Sequence, residues 1–412
     1  MKNVSRTRAL WIAVCIFLFC SPVFADDYSD KDILVMDNTA FAVDLFNRLS
    51  VAEGNLFFSP HSVSAALAMT YAGARGNTEG EMMQALCFSL PQEGLHPAFA
   101  ELESELTRAQ ASGDVALHVA NSLWPHANYP FLDEFLELLQ KHYGVSITPV
   151  DYADAEAARE TINGWVEQRT LEKIRELIPQ GILNALTRLV LVNAIYFKGE
   201  WRSGFEPERT EETPFFLGSG TTVQVPMMTQ VQTFGYAEDD DLQILELPYA
   251  GENFSMIILL PREKDGLERL EKKLNLTNLG RWRNRIDTRR VEVFLPKFKT
   301  TSMFRLDDTL KAMGMNDAFD ERRADFSGMD GKELLYLTAV LHKAFVDVSE
   351  EGTEAAAATG AVVGLKMSAP SGSPPSPPVF RADRPFLFLI QEDTTESILF
   401  MGRVADPTRT GE

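Results

Sequence analysis

Glu350-Glu351-Gly352-Thr353-Glu354-Ala355-Ala356-Ala357-Ala358-Thr359-Gly360 opens a small-residue segment near the end of a 412-residue chain, and the conformation open to it decides the fold. Residues 361–368 continue it as Ala-Val-Val-Gly-Leu-Lys-Met-Ser. A run of Ser, Gly and Pro follows, and the segment ends at Asp383-Arg384-Pro385-Phe386. Read as a strand, it alternates its side chains between two faces. Thr353, Ala355, Ala357, Thr359, Ala361, Val363 and Leu365 share one face; Glu354, Ala356, Ala358, Gly360, Val362 and Gly364 share the other. The first face is uncharged and fit for burial, while the second carries Glu354 toward water or a thin cover. Four consecutive alanines suit a helix equally well, so the segment is able to live in more than one state. Its composition alone is also that of an exposed linker.

Outward from this stretch, the periodicity reads as α+β. Helical faces recur over residues 40–49, 95–110, 130–143, 153–169, 267–274 and 302–313. Ser59 is placed to cap a helix that starts at Pro60, and Thr78 with Glu81 reads as a capping box for the next one. Strand patterns cover residues 115–124, 189–201, 291–298, 340–349, 386–390 and 397–404, with several more between 221 and 261. Helices come first and strands crowd the second half.

Residues 1–25 carry Lys2, Arg6 and Arg8, an apolar run over 9–19, and Ser21-Pro22-Val23-Phe24-Ala25. This is the pattern of a signal peptide cleaved near Ala25, and the run is short of the roughly 20 residues that a membrane span needs. The remaining residues 26–412 are expected to form one domain, secreted to the exterior or periplasm. Of the chain's 39 Lys and Arg and 59 Asp and Glu, the leader holds three basic and no acidic residues, which leaves 36 against 59. Such a surface is a poor partner for nucleic acid, heparin-like polymers and anionic membranes. Cys15 and Cys20 leave with the leader, and Cys87 alone cannot form an internal disulfide. A secreted chain without disulfides points to a bacterial envelope or exterior.

Five further segments carry a resemblance: residues 55–62, Asn193-Ala194-Ile195-Tyr196-Phe197-Lys198-Gly199-Glu200-Trp201, Ala324-Asp325-Phe326-Ser327-Gly328, residues 383–390 and Ile398-Leu399-Phe400-Met401-Gly402-Arg403-Val404. With the Glu350–Gly360 stretch, and in this order, they resemble the serpin (serine protease inhibitor) family over about residues 30–407. The resemblance implies three β-sheets, a large central one among them, with about eight or nine helices around them and an exposed reactive-centre loop at about residues 350–380. It makes Glu350, Gly352, Thr353, Glu354, Ala355, Ala356, Ala357 and Ala358 the hinge of that loop. It assigns Ser59, Ser62, Asn193 and His342 to a polar shutter under the central sheet. At the top of that sheet it assigns Trp201, Lys297 and Glu350 to the breach, with Gly352 beside them. A buried amide and a buried imidazole each cost on the order of several kcal/mol without partners, so Asn193 and His342 are expected to be hydrogen-bonded whether or not they have a function.

Family spacing counted from Glu350 ends on Lys366, with Met367 following. Lys366 suits a deep, carboxylate-floored pocket of the trypsin kind, whereas Met367-Ser368 as the reactive bond suits a chymotrypsin- or elastase-like enzyme. The chain departs from typical relatives in the Pro-rich insertion at residues 371–378, which either projects the loop or acts as a passive spacer. No metalloprotease, nucleophile-elbow or phosphate-loop motif is present, and the histidines are scattered singly. The expectation is therefore a metastable, monomeric inhibitor that needs no cofactor or metal. It traps a serine protease as a covalent acyl-enzyme, and it is not itself an enzyme. The alternatives are a non-inhibitory binding or chaperone-like protein of the same fold, or an inhibitor of a chymotrypsin-like, elastase-like or cysteine protease. Residues 95–110 hold Glu101, Glu103 and Glu105 against Arg108, so the basic glycosaminoglycan site of some relatives is not expected. Asn253-Phe254-Ser255 and Asn275-Leu276-Thr277 are glycosylation sequons.

Overall fold

The computed structural model describes residues 28–353 and 376–411 except Gly113, Asn128, Ser219, Glu333 and Leu334. The leader and the loop residues Glu354, Ala355–Ala358, Lys366 and Met367 lie outside the described residues. Helices α1 (Asp30–Leu49), α2 (Pro60–Tyr71), α3 (Gly76–Ala85), α4 (Gln92–Ala109), α5 (Asp133–Tyr143) and α6 (Ala155–Arg169) fall in the first half. Helices α7 (Leu267–Lys273), α8 (Leu276–Arg283), α9 (Asp307–Ala312) and α10 (Ser327–Asp330) punctuate the second. The strands are β1 (Leu56–Phe58), β2 (Val115–Pro125), β3 (Ser146–Ile147), β4 (Leu189–Glu200), β5 (Glu211–Phe216), β6 (Thr222–Glu238), β7 (Leu242–Pro248), β8 (Phe254–Pro261), β9 (Asp287–Pro296), β10 (Phe298–Arg305), β11 (Leu341–Val348), β12 (Gly352–Thr353), β13 (Val379–Arg381), β14 (Phe386–Glu392) and β15 (Ile398–Val404).

The architecture is α+β. Hydrogen bonding groups the described strands into two networks where the resemblance implies three. The long β6 pairs with β5 through its first residues, with β7 through its last and with β9 between them, so it stitches two sheets into one network of nine strands. The other network has six strands in the order β10-β11-β12-β4-β2-β3. Its centre is mixed: β4 and β11 run parallel, and the two-residue β12 lies antiparallel between them at one end.

Helix α2 packs behind this sheet. Every one of its residues is buried, which the Ala-rich sequence allows by letting it approach closely on all sides. Ser59 caps it as expected, its Oγ accepting the Ser62 N–H at 3.1 Å with Pro60 in the first turn. The Thr78–Glu81 box does not form. Helix α3 starts at Gly76, and Thr78 Oγ1 instead accepts the Asp325 N–H at 2.9 Å, while Glu81 accepts the Asn316 and Asp317 amides. Residues 302–313 are not one helix either. Residues 298–305 pair along the whole of β11, and only Asp307–Ala312 is helical. The tertiary ladder overrides the helical period there.

Candidate functional site: a slot between two parallel strands

Strands β4 and β11 touch directly through Lys343–Ala194, Ala344–Ile195 and Phe345–Tyr196. At the end of the pair beyond Phe345, β12 has come between them. Thr353 pairs with Gly199 on one side and Val348 on the other, and Gly352 pairs with Glu200. A Cβ at Gly352 would run into the carbonyl of Gly199, so this first position admits glycine because the strands still lie close. Thr353 is fully buried, and its hydroxyl is 2.8 Å from the phenol of Tyr249. Burial raises the pKa of that phenol, so it meets Thr353 as a neutral hydroxyl.

A cluster of side chains holds this end of the slot. Trp201 stacks on Tyr249 with ring centroids 4.6 Å apart and planes within 14°. Its indole N–H donates to Ser349 O at 3.0 Å, and its backbone N–H donates to Glu351 O at 2.8 Å. Lys297 Nζ lies 2.7 Å from Glu350 Oε2, and Thr210 Oγ1 donates to Oε1 at 2.9 Å. Burial works against the Glu350 carboxylate, but the Lys297, backbone and Thr210 hydrogen bonds and the Lys297 charge outweigh it and hold its pKa below the ordinary glutamate value. The structure thus brings Trp201, Lys297, Glu350 and Gly352 together. It adds Tyr249 and Thr210, which no local sequence signal marks.

Beyond the paired stretch, a second polar group bridges the two strands. The Ser59 N–H, which can only donate, reaches His342 Nε2 at 3.0 Å. The ring proton therefore sits on Nδ1, which donates to Asn193 Oδ1 at 2.7 Å. The Asn193 amide donates to Ser62 O at 2.8 Å, Ser62 Oγ at 2.5 Å and Asn121 Oδ1 at 2.8 Å, and Ser59 Oγ donates to Leu399 O at 2.6 Å. All four of Ser59, Ser62, Asn193 and His342 meet here. Asn121 was missed, although the signal was the same: an amide interrupting a strand pattern. His342 is fully buried, and burial pushes its pKa down to about 3. The bridge is neutral at ordinary pH.

The other face of the slot is covered. Helix α6 and residues 170–188 pass over it, with Asn163 exchanging hydrogen bonds with Ile178 and Lys343 Nζ donating to Arg175 O at 2.7 Å. On α4, Glu103 is engaged by His61 at 2.9 Å and Glu105 by Lys31 at 2.9 Å. Among the described residues no group of three His, Cys, Asp or Glu is placed to hold a metal, and no helix is long and apolar enough to cross a membrane.

The site is thus two parallel strands parted at one end by the two-residue β12 and bridged further on by a neutral polar cluster. The family model of the serpins (serine protease inhibitors) matches residues 36–407. The human leukocyte elastase inhibitor is 42% identical over 381 residues, covering 90% of this chain and 98% of that protein. Among solved structures, Serpin48 of the insect Tenebrio molitor, titled a highly specific serpin, aligns with a TM-score of 0.80 at 34% identity over 90% of this chain and 98% of that one. Human thyroxine-binding globulin aligns with a TM-score of 0.82 at 32% identity over 92% and 100%. The chain belongs to the serpin family, a family of protease inhibitors rather than enzymes. These relatives come from animals and lend no support to the bacterial setting expected from the cysteine count.

Proposed function

We propose that this chain is a secreted, monomeric, single-use inhibitor of a trypsin-like serine protease, cleaved at Lys366-Met367. The observation that carries the reading is the position of Thr353, already seated between β4 and β11 with its hydroxyl in the core. Strand addition from a cleaved loop is an established serpin mode of sheet extension. If the register set by Thr353 continued, Ala355 would lie opposite Phe197 and Val346, Ala357 opposite Ile195 and Ala344, and Thr359 opposite Asn193 and His342. The ladder would end with Val363 opposite Leu189. Ala355 and Ala357 would then face the core with Thr353, and Ala356 and Ala358 would pass under α6 and residues 170–188. Small residues are needed on both faces, which accounts for the alanine run.

In the proposed reaction the protease serine attacks the Lys366 carbonyl, the bond to Met367 breaks and the Met367 amine leaves. The acyl-linked loop then enters the slot. Some 12 inserted residues at ~0.5–1.5 kcal/mol per ladder hydrogen bond give a gross gain on the order of 10–20 kcal/mol, comparable with the ~5–15 kcal/mol stability of a whole domain. Dragging the enzyme by its ester would disturb a site that depends on sub-ångström positioning and an intact oxyanion hole, so deacylation stalls. Thr359 would part the Asn193–His342 hydrogen bond and supply a hydroxyl in its place.

A second reading of the target has one observation in its favour: the human relative is named for an elastase, and Met367 is the residue an elastase-like enzyme would select. Incubation with trypsin-like and elastase-like proteases, a denaturing gel and the mass of the released peptide decide between the two. A complex stable to denaturation with a peptide starting at Met367 is expected. A peptide starting at Ser368 would move the reactive bond by one residue, and ordinary turnover by every protease tried would remove the inhibitor reading in favour of a binding or chaperone-like protein.

A further inference from the structure

The chain holds two Asn-x-Ser/Thr sequons, and the fold treats them differently. Asn253 precedes Phe254 and Ser255, both buried in β8. Its Nδ2 donates to Ala109 O at 2.9 Å, joining the turn before β8 to the end of α4, and its carbonyl accepts the Asp393 N–H at 2.9 Å. The Ser255 hydroxyl is turned inward onto Asp393. A sugar on Nδ2 of Asn253 would have to grow beside the α4 end that this amide is bonded to.

Asn275-Leu276-Thr277 is the opposite case. All three residues are exposed, Leu276 at 47%. Asn275 has unstrained extended backbone, φ −155° and ψ 167°, and caps α8 by accepting the Asn278 N–H at 2.9 Å through Oδ1. Its Nδ2 donates to Lys273 O at 3.1 Å. Glycosylation replaces only one of the two hydrogens on Nδ2 and leaves Oδ1 untouched, so the cap and the Lys273 bond are compatible with a sugar pointing into solvent.

We propose that Asn275 is an N-glycosylation site of this protein and that Asn253 stays bare. This rests on the secretory reading of residues 1–25. In the transfer, Asn275 Nδ2 forms a bond to the anomeric carbon of a lipid-pyrophosphate-linked oligosaccharide. The anomeric C–O bond breaks, the lipid pyrophosphate leaves with the electron pair, and the amide proton passes to a base of the transferase. Threonine at position 277 supplies the hydroxyl the sequon requires.

The test expresses the full chain in animal cells from its own leader and, in parallel, with residues 1–25 replaced by an unrelated secretion leader. Medium and cell fractions are both examined by intact mass before and after peptide N-glycosidase. One glycan is expected, with release converting Asn275 to Asp. Thr277→Ala should abolish it without touching the helix cap, Thr277→Ser should retain it, and Asn253→Gln should leave the mass increment unchanged. A glycan on Asn275 only with the borrowed leader would sink the secretory reading and keep the site. A bare Asn275 on chains translocated by either leader, or a glycan on Asn253, would overturn the proposal.

Discussion

The two ends of the contact between β4 and β11 are closed by different chemistry. Where β12 begins, the strands are already apart. The surrounding contacts are aromatic and charged: buried Trp201 on Tyr249, and Lys297, 38% exposed, on Glu350. At Asn193 and His342 the strands are bridged by a fully buried, uncharged hydrogen-bonded group in which each ring and amide atom has a partner. Under the proposed mechanism, the first region would position the segment that enters, and the second would have to be broken for entry to continue. Opening would then have a fixed starting point and a defined obstacle, and the two would respond to different perturbations.

The largest expected effect is at Thr353. Replacing it with Arg would put a guanidinium where the fully buried Thr353 meets Tyr249, at a cost of roughly several kcal/mol even after relaxation. The Thr353→Arg protein should be cut at the reactive bond at a similar initial rate yet behave as a substrate, because acyl-enzyme hydrolysis outruns a hindered insertion. Stoichiometry titration against protease checks this, and an unchanged stoichiometry would place Thr353 outside the commitment step. Cleavage between residues 360 and 366 should raise the thermal midpoint sharply if the loop inserts, whereas an ordinary nick lowers it. A midpoint that fails to rise would break the comparison at its root.

Next comes the neutral bridge. His342→Ala strands the Ser59 N–H and the Asn193 Oδ1, each a buried group worth about 1–3 kcal/mol when unpaired. Its urea midpoint should fall accordingly. The same ring gives a pH dependence. Its folded pKa of about 3 lies below the ordinary value of 6.5, so the unfolded chain binds the extra proton. Stability is full above about 6.5 and declines as pH falls from there toward 3, by at most about 1.4 kcal/mol per pH unit for one proton. Burial likewise pushes His96 down to about 4, adding a second proton to the slope. His342→Gln should remove the His342 share and leave that of His96. An unchanged slope would mean that the ring is already open to water.

How far this was legible from sequence follows the same division. The Ser59 cap and the polar interruptions at Asn193 and His342 are local patterns, and the structure places those residues where their patterns imply; of the hinge alternation only Thr353 lies among the described residues, and it is buried. Asn121 carried the same signal within the strand pattern at residues 115–124. Tyr249 and Thr210 carried none, because a Tyr after an apolar run and a Thr before an acidic pair acquire meaning only when β12 is threaded beside them. The Thr78 capping box and the helix over 302–313 failed for the reverse reason: locally sound patterns were outbid by partners distant in sequence, Asp325 for one and the whole of β11 for the other.

The smallest expected effect is at Lys297, and it sharpens the comparison most. The Lys297 ammonium is part exposed, and pairs of that kind contribute roughly 0–1 kcal/mol. Its partner Glu350 has a side chain only 10% exposed and keeps the Thr210 hydrogen bond when Lys297 is removed. Lys297→Ala should therefore lower the thermal midpoint by little. Because Glu350 and Glu351 carbonyls also anchor Phe205 and Trp201, the backbone at the start of β12 stays tethered, and the variant should still inhibit. What should move is the pH dependence near the carboxylate range. Removing the cation takes away one of the groups that hold the Glu350 pKa below its ordinary value and leaves burial pushing the other way. A folded pKa held low contributes stability that is present above the unfolded value and lost as pH falls through the folded one. Lys297→Ala should shift that loss to higher pH, so its thermal midpoint should separate from wild type more at pH 7, where Glu350 is ionised, than at pH 4, where the wild type is losing the same contribution. An equal separation at both pH values would show that Thr210 and the backbone alone keep Glu350 ionised, making the ion pair a positional contact and the aromatic stack the element that holds the slot ajar.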